Sequence, residues 1–262
     1  MQLELWQIIV LAVIQGVTEF LPISSDGHLT IAAALMAGGK REMLDVPDVI
    51  VVLHGGTLLS ILVFYWRRII ELLRADRRTI WLLFAATIPA VGVGLPVEMF
   101  AKEWLASVPL TGICLVITGL VLILAGYTVP GVRHYRELGL IEAVGMGISQ
   151  AAAILPGLSR SCCTITTGLR FGLTPTSAAT FSFLMAIPVI AGACFVKSLT
   201  IWKAGGLSTP ASHLLIGVVI SFAVGLVSLW WLVRWLERGR FALFALWCIP
   251  LGMGVLMWEA LK

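Results

Sequence analysis

Charge is what this sequence has least of. Only 12% of its 262 residues are Asp, Glu, Lys or Arg, while 59% are hydrophobic. A soluble domain carries about 25% charged residues, so this chain does not cover a water-facing surface and belongs to the integral membrane class. Cysteines are few and odd in number: Cys114, Cys162, Cys163, Cys194 and Cys248. None has the paired spacing of a zinc site, and in apolar surroundings they read as small packing residues. Met1–Val10 holds Glu4 but no Lys or Arg. It lacks the charged start of a signal peptide and is expected to be part of the membrane domain. Also missing is the interleaving of aromatic and basic residues that grips single-stranded nucleic acid. The formal charge of +4 lies in arginines between apolar runs, which points to membrane topology and to no nucleic-acid partner.

What is present is a series of long apolar runs. A spanning helix needs about 20 apolar residues. Six segments qualify: Val49–Trp66, Ile80–Val97, Leu110–Tyr127, Ala178–Val196, His213–Trp235 and Phe241–Trp258. Two further stretches are interrupted, Leu5–Met36 at Pro22 to His28 and Leu140–Leu169 at Pro156 to Arg160. Each half is too short to cross, so each stretch is expected to enter the membrane and return. Non-helical backbone at that depth must be buried in protein or line a wet cavity. The expected fold is an all-α membrane domain over 1–262, with six transmembrane helices and two re-entrant hairpins. Arg67, Arg68, Arg74, Arg77 and Arg78 follow the first span, Arg133 and Arg136 the third, and Arg234, Arg238 and Arg240 the fifth. The positive-inside rule puts these loops in the cytoplasm. The Lys40–Asp45, Glu98–Glu103 and Lys197–His213 loops and both termini then lie outside. Leu21-Pro22-Ile23-Ser24-Ser25 echoes Leu155-Pro156-Gly157-Leu158-Ser159, and three spans follow each break. The layout is that of an inverted-topology repeat, about 1–130 and 131–262, with a site where the broken elements meet.

The two breaks carry the chemistry. An ionised side chain at membrane depth costs about 2.5 kcal/mol or more, so it marks a functional site by default. In the second break, Pro156 and Gly157 interrupt the helix, and Ser159, Arg160, Ser161 and Thr164 offer donors from one short segment. A guanidinium beside a restarting helix is an anion site, with phosphate its natural guest. The purely structural alternative is a buried arginine paired with a carboxylate such as Glu19. In the first break, Gln15 and Glu19 share a helix face, and Ser24, Ser25, Asp26 and His28 follow in a Gly-containing turn. A hydroxyl near an imidazole is the minimum of an activated nucleophile. Glu19 is a candidate to accept a proton, orient His28 or bind metal. Magnesium or calcium, held by a carboxylate and substrate phosphates, suits these oxygen donors better than zinc. Asp48 and His54, at the start of or within the first span, could line the cavity, but capping or packing is the expected role. Together these residues point to phosphate-ester or phosphoanhydride chemistry on a lipid-borne substrate.

The segment Gln15–Glu19, then Ser24-Ser25-Asp26-Gly27-His28, and later Pro156-Gly157-Leu158-Ser159-Arg160-Ser161 with Thr164, resembles the undecaprenyl-diphosphate phosphatase family, also called the bacitracin-resistance proteins. That family's pattern is Glu or Gln, three residues, Glu, and later Pro-Gly-x-Ser-Arg-Ser-x-x-Thr, and both parts match. The resemblance implies hydrolysis of undecaprenyl diphosphate to undecaprenyl phosphate and inorganic phosphate. Such an activity recycles the lipid carrier of peptidoglycan synthesis and confers bacitracin resistance. It implies a multi-pass protein of the bacterial inner membrane whose site opens toward the periplasm. It also implies catalytic roles for Glu19, Ser25, His28 and Arg160, with Ser24, Ser159, Ser161 and Thr164 on the phosphate and Gln15 and Asp26 in support. Gln15 leaves one carboxylate in its pair, and Asp26 stands where many members carry Thr. Either Ser25 or His28 is the nucleophile. A transporter of polyprenyl phosphate or another anion would use the same inverted repeat, and a lipid phosphatase of other specificity is a third reading. The bilayer and the polyprenyl diphosphate are the expected partners, and a homo-oligomer is left open.

Overall fold

A computed structural model of the chain describes residues 3–36, 46–129, 131–203, 205–206 and 208–261. The expected outer loop Lys40–Asp45 and the terminal Lys262 lie outside them. Among the described residues there are helices and no strand. In chain order they are α1 (Leu5–Thr18), α2 (Ser25–Met36), α3 (Val46–Phe64), α4 (Trp66–Ala75), α5 (Arg77–Phe100), α6 (Lys102–Leu105), α7 (Val108–Gly126), α8 (Leu140–Ala152), α9 (Arg160–Arg170), α10 (Pro175–Lys203), α11 (Ala211–Glu237) and α12 (Ala245–Ala260). Short 3-10 turns sit at Tyr135–Glu137 and Phe241–Phe244.

Six helices are long and apolar enough to cross a membrane: α3, α5, α7, α10, α11, and α12 with its leading 3-10 turn. They coincide with the six predicted spans, but several ends move. α5 begins at Arg77 because Asp76 accepts from the Thr79 N–H and hydroxyl, an N-cap. α10 runs 29 residues, about 43 Å at 1.5 Å per residue. Lys197–Lys203 therefore continue the helix instead of opening the expected loop. No Gly or Pro interrupts that stretch; the helix stops at Gly205 and Gly206, whose φ angles are +89° and +99°. Their N–H groups return to the carbonyls of Trp202 and Ile201, which closes the helix end. The segment after the first span is also helical: α4 exposes Trp66, Ile70 and Leu73 beside Arg67 and Arg74, the pattern of an interfacial helix.

The arginine-bearing segments gather at one end of the bundle. Arg136 binds Glu71 at 2.6 Å and Asp76 at 3.3 Å, and Arg78 donates to the carbonyls of Arg136 and Leu138. Hydrogen bonds from Arg136 and Arg68 hold the exposed Glu71 carboxyl below its ordinary range. The Thr176 hydroxyl, at the start of α10, donates to Glu237 at the end of α11. At the other end, Lys197 of α10 pairs with Asp48 of α3 at 2.7 Å.

Helix pairing crosses the two halves of the chain. The short α1 packs on α11, and the short α8 packs on α5; α7 pairs with α12, and α3 with α11 and α10. The buried apolar side chains form two clusters. One holds Ile8, Leu11, Leu29, Val49 and Leu53. The other holds Phe20, Leu21, Ile61, Tyr65, Ile165 and Phe183. Along α1 the residues between the clusters are Gln15, Thr18 and the following Glu19; along α3 they are His54, Thr57 and Ser60. A polar layer is thus sandwiched between two apolar ones.

Candidate active site

Two broken helices meet in that layer. α1 ends at Thr18, Glu19 still has helical backbone, and a six-residue turn leads to α2. Ser24 takes φ +72°, the only non-glycine residue described with positive φ, and its hydroxyl accepts from the Gly27 N–H at the start of α2. On the other side, α8 ends at Ala152 and α9 begins at Arg160, with Ser159 as N-cap on the Cys162 N–H. Gly157 takes φ +92°, and a Cβ there would run into the Thr111 carbonyl. A Cβ on Gly27 would lie 2.9 Å from the Gly157 Cα, so the turns touch glycine to glycine. A third element stitches the second turn in place. The Thr118 hydroxyl of α7 donates to the Gly157 carbonyl at 2.8 Å and accepts from the Ser159 N–H at 3.0 Å.

Glu19 is the hub, 7% exposed. Arg160 donates to its Oε1 at 2.6 Å. Its Oε2 accepts from the Ser25 hydroxyl at 2.7 Å and from the Gln15 amide at 3.2 Å. Gln15 also donates to Thr57. The structural alternative for Arg160, pairing with Glu19, is therefore present, but it does not use the whole guanidinium. The buried Nη1 of Arg160 has no hydrogen-bond partner, a costly state for a charged group unless a ligand fills it. Ser161 donates to the Leu21 carbonyl across the two turns, and its hydroxyl is 3.2 Å from that of Ser159. Thr164 faces inward too, bonded to the Arg160 carbonyl and 2.6 Å from the Ser182 hydroxyl.

The predicted residues do not all converge. Gln15, Glu19, Ser25 and Arg160 form one hydrogen-bonded group. His28 engages both ring nitrogens elsewhere: Nδ1 lies 2.7 Å from the Ser24 carbonyl, and the Trp247 indole donates to Nε2 at 2.8 Å. The Ser25 hydroxyl donates to Glu19 and not to His28. Asp26 is not in the loop but in the first turn of α2, and its carboxylate is exposed beside His54. Asp48, in the first turn of α3, pairs with Lys197. Four contributors escape the motif reading: Thr57, His54, Thr118 and Trp247. His54 Nε2 lies 3.5 Å from Glu19 Oε2 and 3.9 Å from Asp26 Oδ1. The signal for His54 and Thr118 is the same: a polar side chain midway along an otherwise apolar span.

Among the described residues, no group of three or more His, Cys, Asp or Glu is arranged to hold a metal ion. Both oxygens of Glu19 already carry N–H or O–H donors. These residues build no all-protein cage for magnesium or calcium; a cation shared with the substrate's phosphates, as the sequence suggests, would be held through Glu19.

The family description "Bacitracin resistance protein BacA" matches residues 8–254. An undecaprenyl-diphosphatase of Rhodopirellula baltica is 44% identical over 97% of this chain and 98% of its own length. Proteins of the same name from Desulforudis audaxviator and Pelotomaculum thermopropionicum are each 35% identical, covering 97% and 99% of this chain and 97% and 98% of their own lengths. These relatives give the transporter reading no support. With near-complete coverage on both sides and the matched motifs meeting at Glu19 and Arg160, the chain belongs to the BacA bacitracin-resistance family.

Proposed function

We propose that this protein is an undecaprenyl-diphosphatase, releasing inorganic phosphate from the lipid diphosphate. The observation that carries the reading is the Arg160–Glu19–Ser25 group: a nucleophile bonded to a carboxylate, beside a guanidinium with one free donor edge. Phosphoryl transfer asks mainly for positioning and for neutralised charge. Arg160 Nη1 and the first turns of α2 and α9 supply the positive potential for the diphosphate. Ser159, Ser161 and Thr164 shape the turn that presents Arg160. Ser25 attacks the terminal phosphorus as its proton passes to Glu19, and undecaprenyl phosphate leaves. Water then hydrolyses the phosphoserine. His28, locked between Ser24 and Trp247, holds the turn that carries Ser25. A divalent cation belongs to this reading only as a companion of the diphosphate, and no step is routed through it.

The two broken elements are read as re-entrant hairpins of an inverted repeat. The crossed packing of α1 on α11 and α8 on α5 supports it, since one exchange operation maps each pair onto the other. The arginine-rich end faces the cytoplasm of the inner membrane, which leaves the site opening to the periplasmic side.

The test is phosphate release from polyprenyl diphosphates by purified protein in detergent, with and without chelator. Arg160→Lys keeps the charge but loses the planar fork. Turnover should fall by at least about 100-fold with unchanged detergent elution and melting. Near-normal release by that variant removes Arg160 from the phosphate site.

A further inference from the structure

His54 lies outside the motifs that assign this site, yet the structure sets it at the centre of the charge. It projects from the middle of α3 into the polar layer, its side chain 18% exposed. Nδ1 is 2.9 Å from the Ile50 carbonyl. A carbonyl only accepts, so Nδ1 carries the hydrogen. In the neutral ring Nε2 then presents its lone pair. It points at Glu19 Oε2, the oxygen that takes the Ser25 hydroxyl, at 3.5 Å, and at Asp26 Oδ1 at 3.9 Å.

Proton accounting makes this placement matter. Glu19 already accepts from Arg160, Ser25 and Gln15. A carboxylate held by these donors is a station for the Ser25 proton and a poor place to leave it. The one imidazole nitrogen described within 4 Å of that carboxylate is His54 Nε2. An imidazolium formed there sits against two carboxylates, Glu19 and Asp26. We propose that His54 is a positioning residue of the reaction, the resting place of the Ser25 proton in a Ser25–Glu19–His54 relay whose second carboxylate is Asp26. The inference rests on Ser25 as nucleophile.

The step balances. The Ser25 Oγ–P bond forms as the bridging P–O bond breaks, and the electron pair leaves with the polyprenyl phosphate. The Ser25 proton moves to Glu19 Oε2 and on to His54 Nε2. When water cleaves the phosphoserine, its oxygen bonds phosphorus and its protons stay with the phosphate; the Ser25 oxygen leaves with the electron pair of the broken O–P bond and takes back, through Glu19, the proton held on His54. The relay also gives Asp26 a task. Gln15 removes one carboxylate from the usual pair, and Asp26 restores it on the far side of the imidazole. Few other charges bear on His54. Arg160 acts from α9 through Glu19, and the Asp48–Lys197 pair sits toward the start of α3. Cys194 of α10 donates to the Val51 carbonyl, and Ser221 of α11 to the Leu53 carbonyl.

The experiment is rapid-quench single turnover with polyprenyl diphosphate labelled on the terminal phosphate, for the wild type, H54Q and H54A across pH 5 to 8. Label should map to Ser25 in the wild type. Phosphoenzyme formation should slow by about 100-fold in H54Q, with KM little changed and the rise of rate with pH abolished. H54A with added imidazole should regain at least part of the rate, which a packing role does not allow. An H54Q rate and pH profile equal to wild type, with label on Ser25, overturns the relay and leaves the nucleophile intact. Label on another residue overturns the nucleophile and the relay with it. Should H54Q fail to fold, the imidazole response of H54A decides alone, and no response counts against the relay.

Discussion

Thr118 shows how much one hydroxyl can hold. It sits midway along α7 with no exposure to solvent, and it satisfies both the Gly157 carbonyl and the Ser159 N–H. No other hydrogen bond is described for that carbonyl, and water has little access to it. Thr118→Val keeps the shape and removes both bonds. Leaving a buried polar group unpaired costs about 1–3 kcal/mol, so the variant should melt several degrees lower in detergent and lose turnover, because Arg160 begins one residue after Ser159. Thr118→Ser should recover most of both. A Thr118→Val protein with wild-type melting and activity would mean that the second turn holds its own shape.

At the scale of elements, the active site is made by failing to complete helices. α1 and α8 stop at the polar layer inside the bundle, and α2 and α9 restart there with polar first turns. Gly157 is the tightest point of that construction. Its φ of +92° and its contact with the Thr111 carbonyl leave no space for a side chain. Gly157→Ala should cost about 1–2 kcal/mol from the backbone alone. A shift of Arg160 by about 1 Å should lower turnover at least 100-fold. The readout is kcat beside the melting temperature: a stable Gly157→Ala protein with full kcat would remove the turn from the catalytic geometry. Much of this is legible in the sequence. Pro and Gly inside apolar runs mark the breaks, and Glu19 and Arg160 announce a meeting because neither charge is stable alone in that setting. His54 is not legible in the same way. A histidine in an apolar run reads alike whether it faces lipid or the site, and only the packing of α3 against α1 and α10 decides. The extent of α10 is hidden for another reason. Lys197 and Lys203 look like a loop, although nothing before Gly205 ends a helix, and the positions they reach lie past about 30 Å of hydrocarbon.

For the whole molecule, the arginine-rich end acts on orientation as one body. The arginine-rich segments are not merely on one side by parity of spans. Arg136, Glu71, Asp76 and Arg78 tie the loops after α3 and α7 together, and Thr176 with Glu237 ties the start of α10 to the end of α11. Any orientation must move this end as a unit, so the arginine bias of the three segments acts together. At the opposite end Asp48 pairs with Lys197, and Lys203 closes α10. Arg238 and Lys203, both exposed, lie at opposite ends of α11 and α10. Introduced one at a time, Lys203→Cys should react with an impermeant maleimide in intact cells, and Arg238→Cys only after permeabilisation. The native cysteines are buried or half-buried and should give little background. The reverse pattern would put the arginine end outside and turn the site toward the cytoplasm. Equal labelling of both from outside would break the six-span count, because a single crossing, the 27-residue α11, separates these positions.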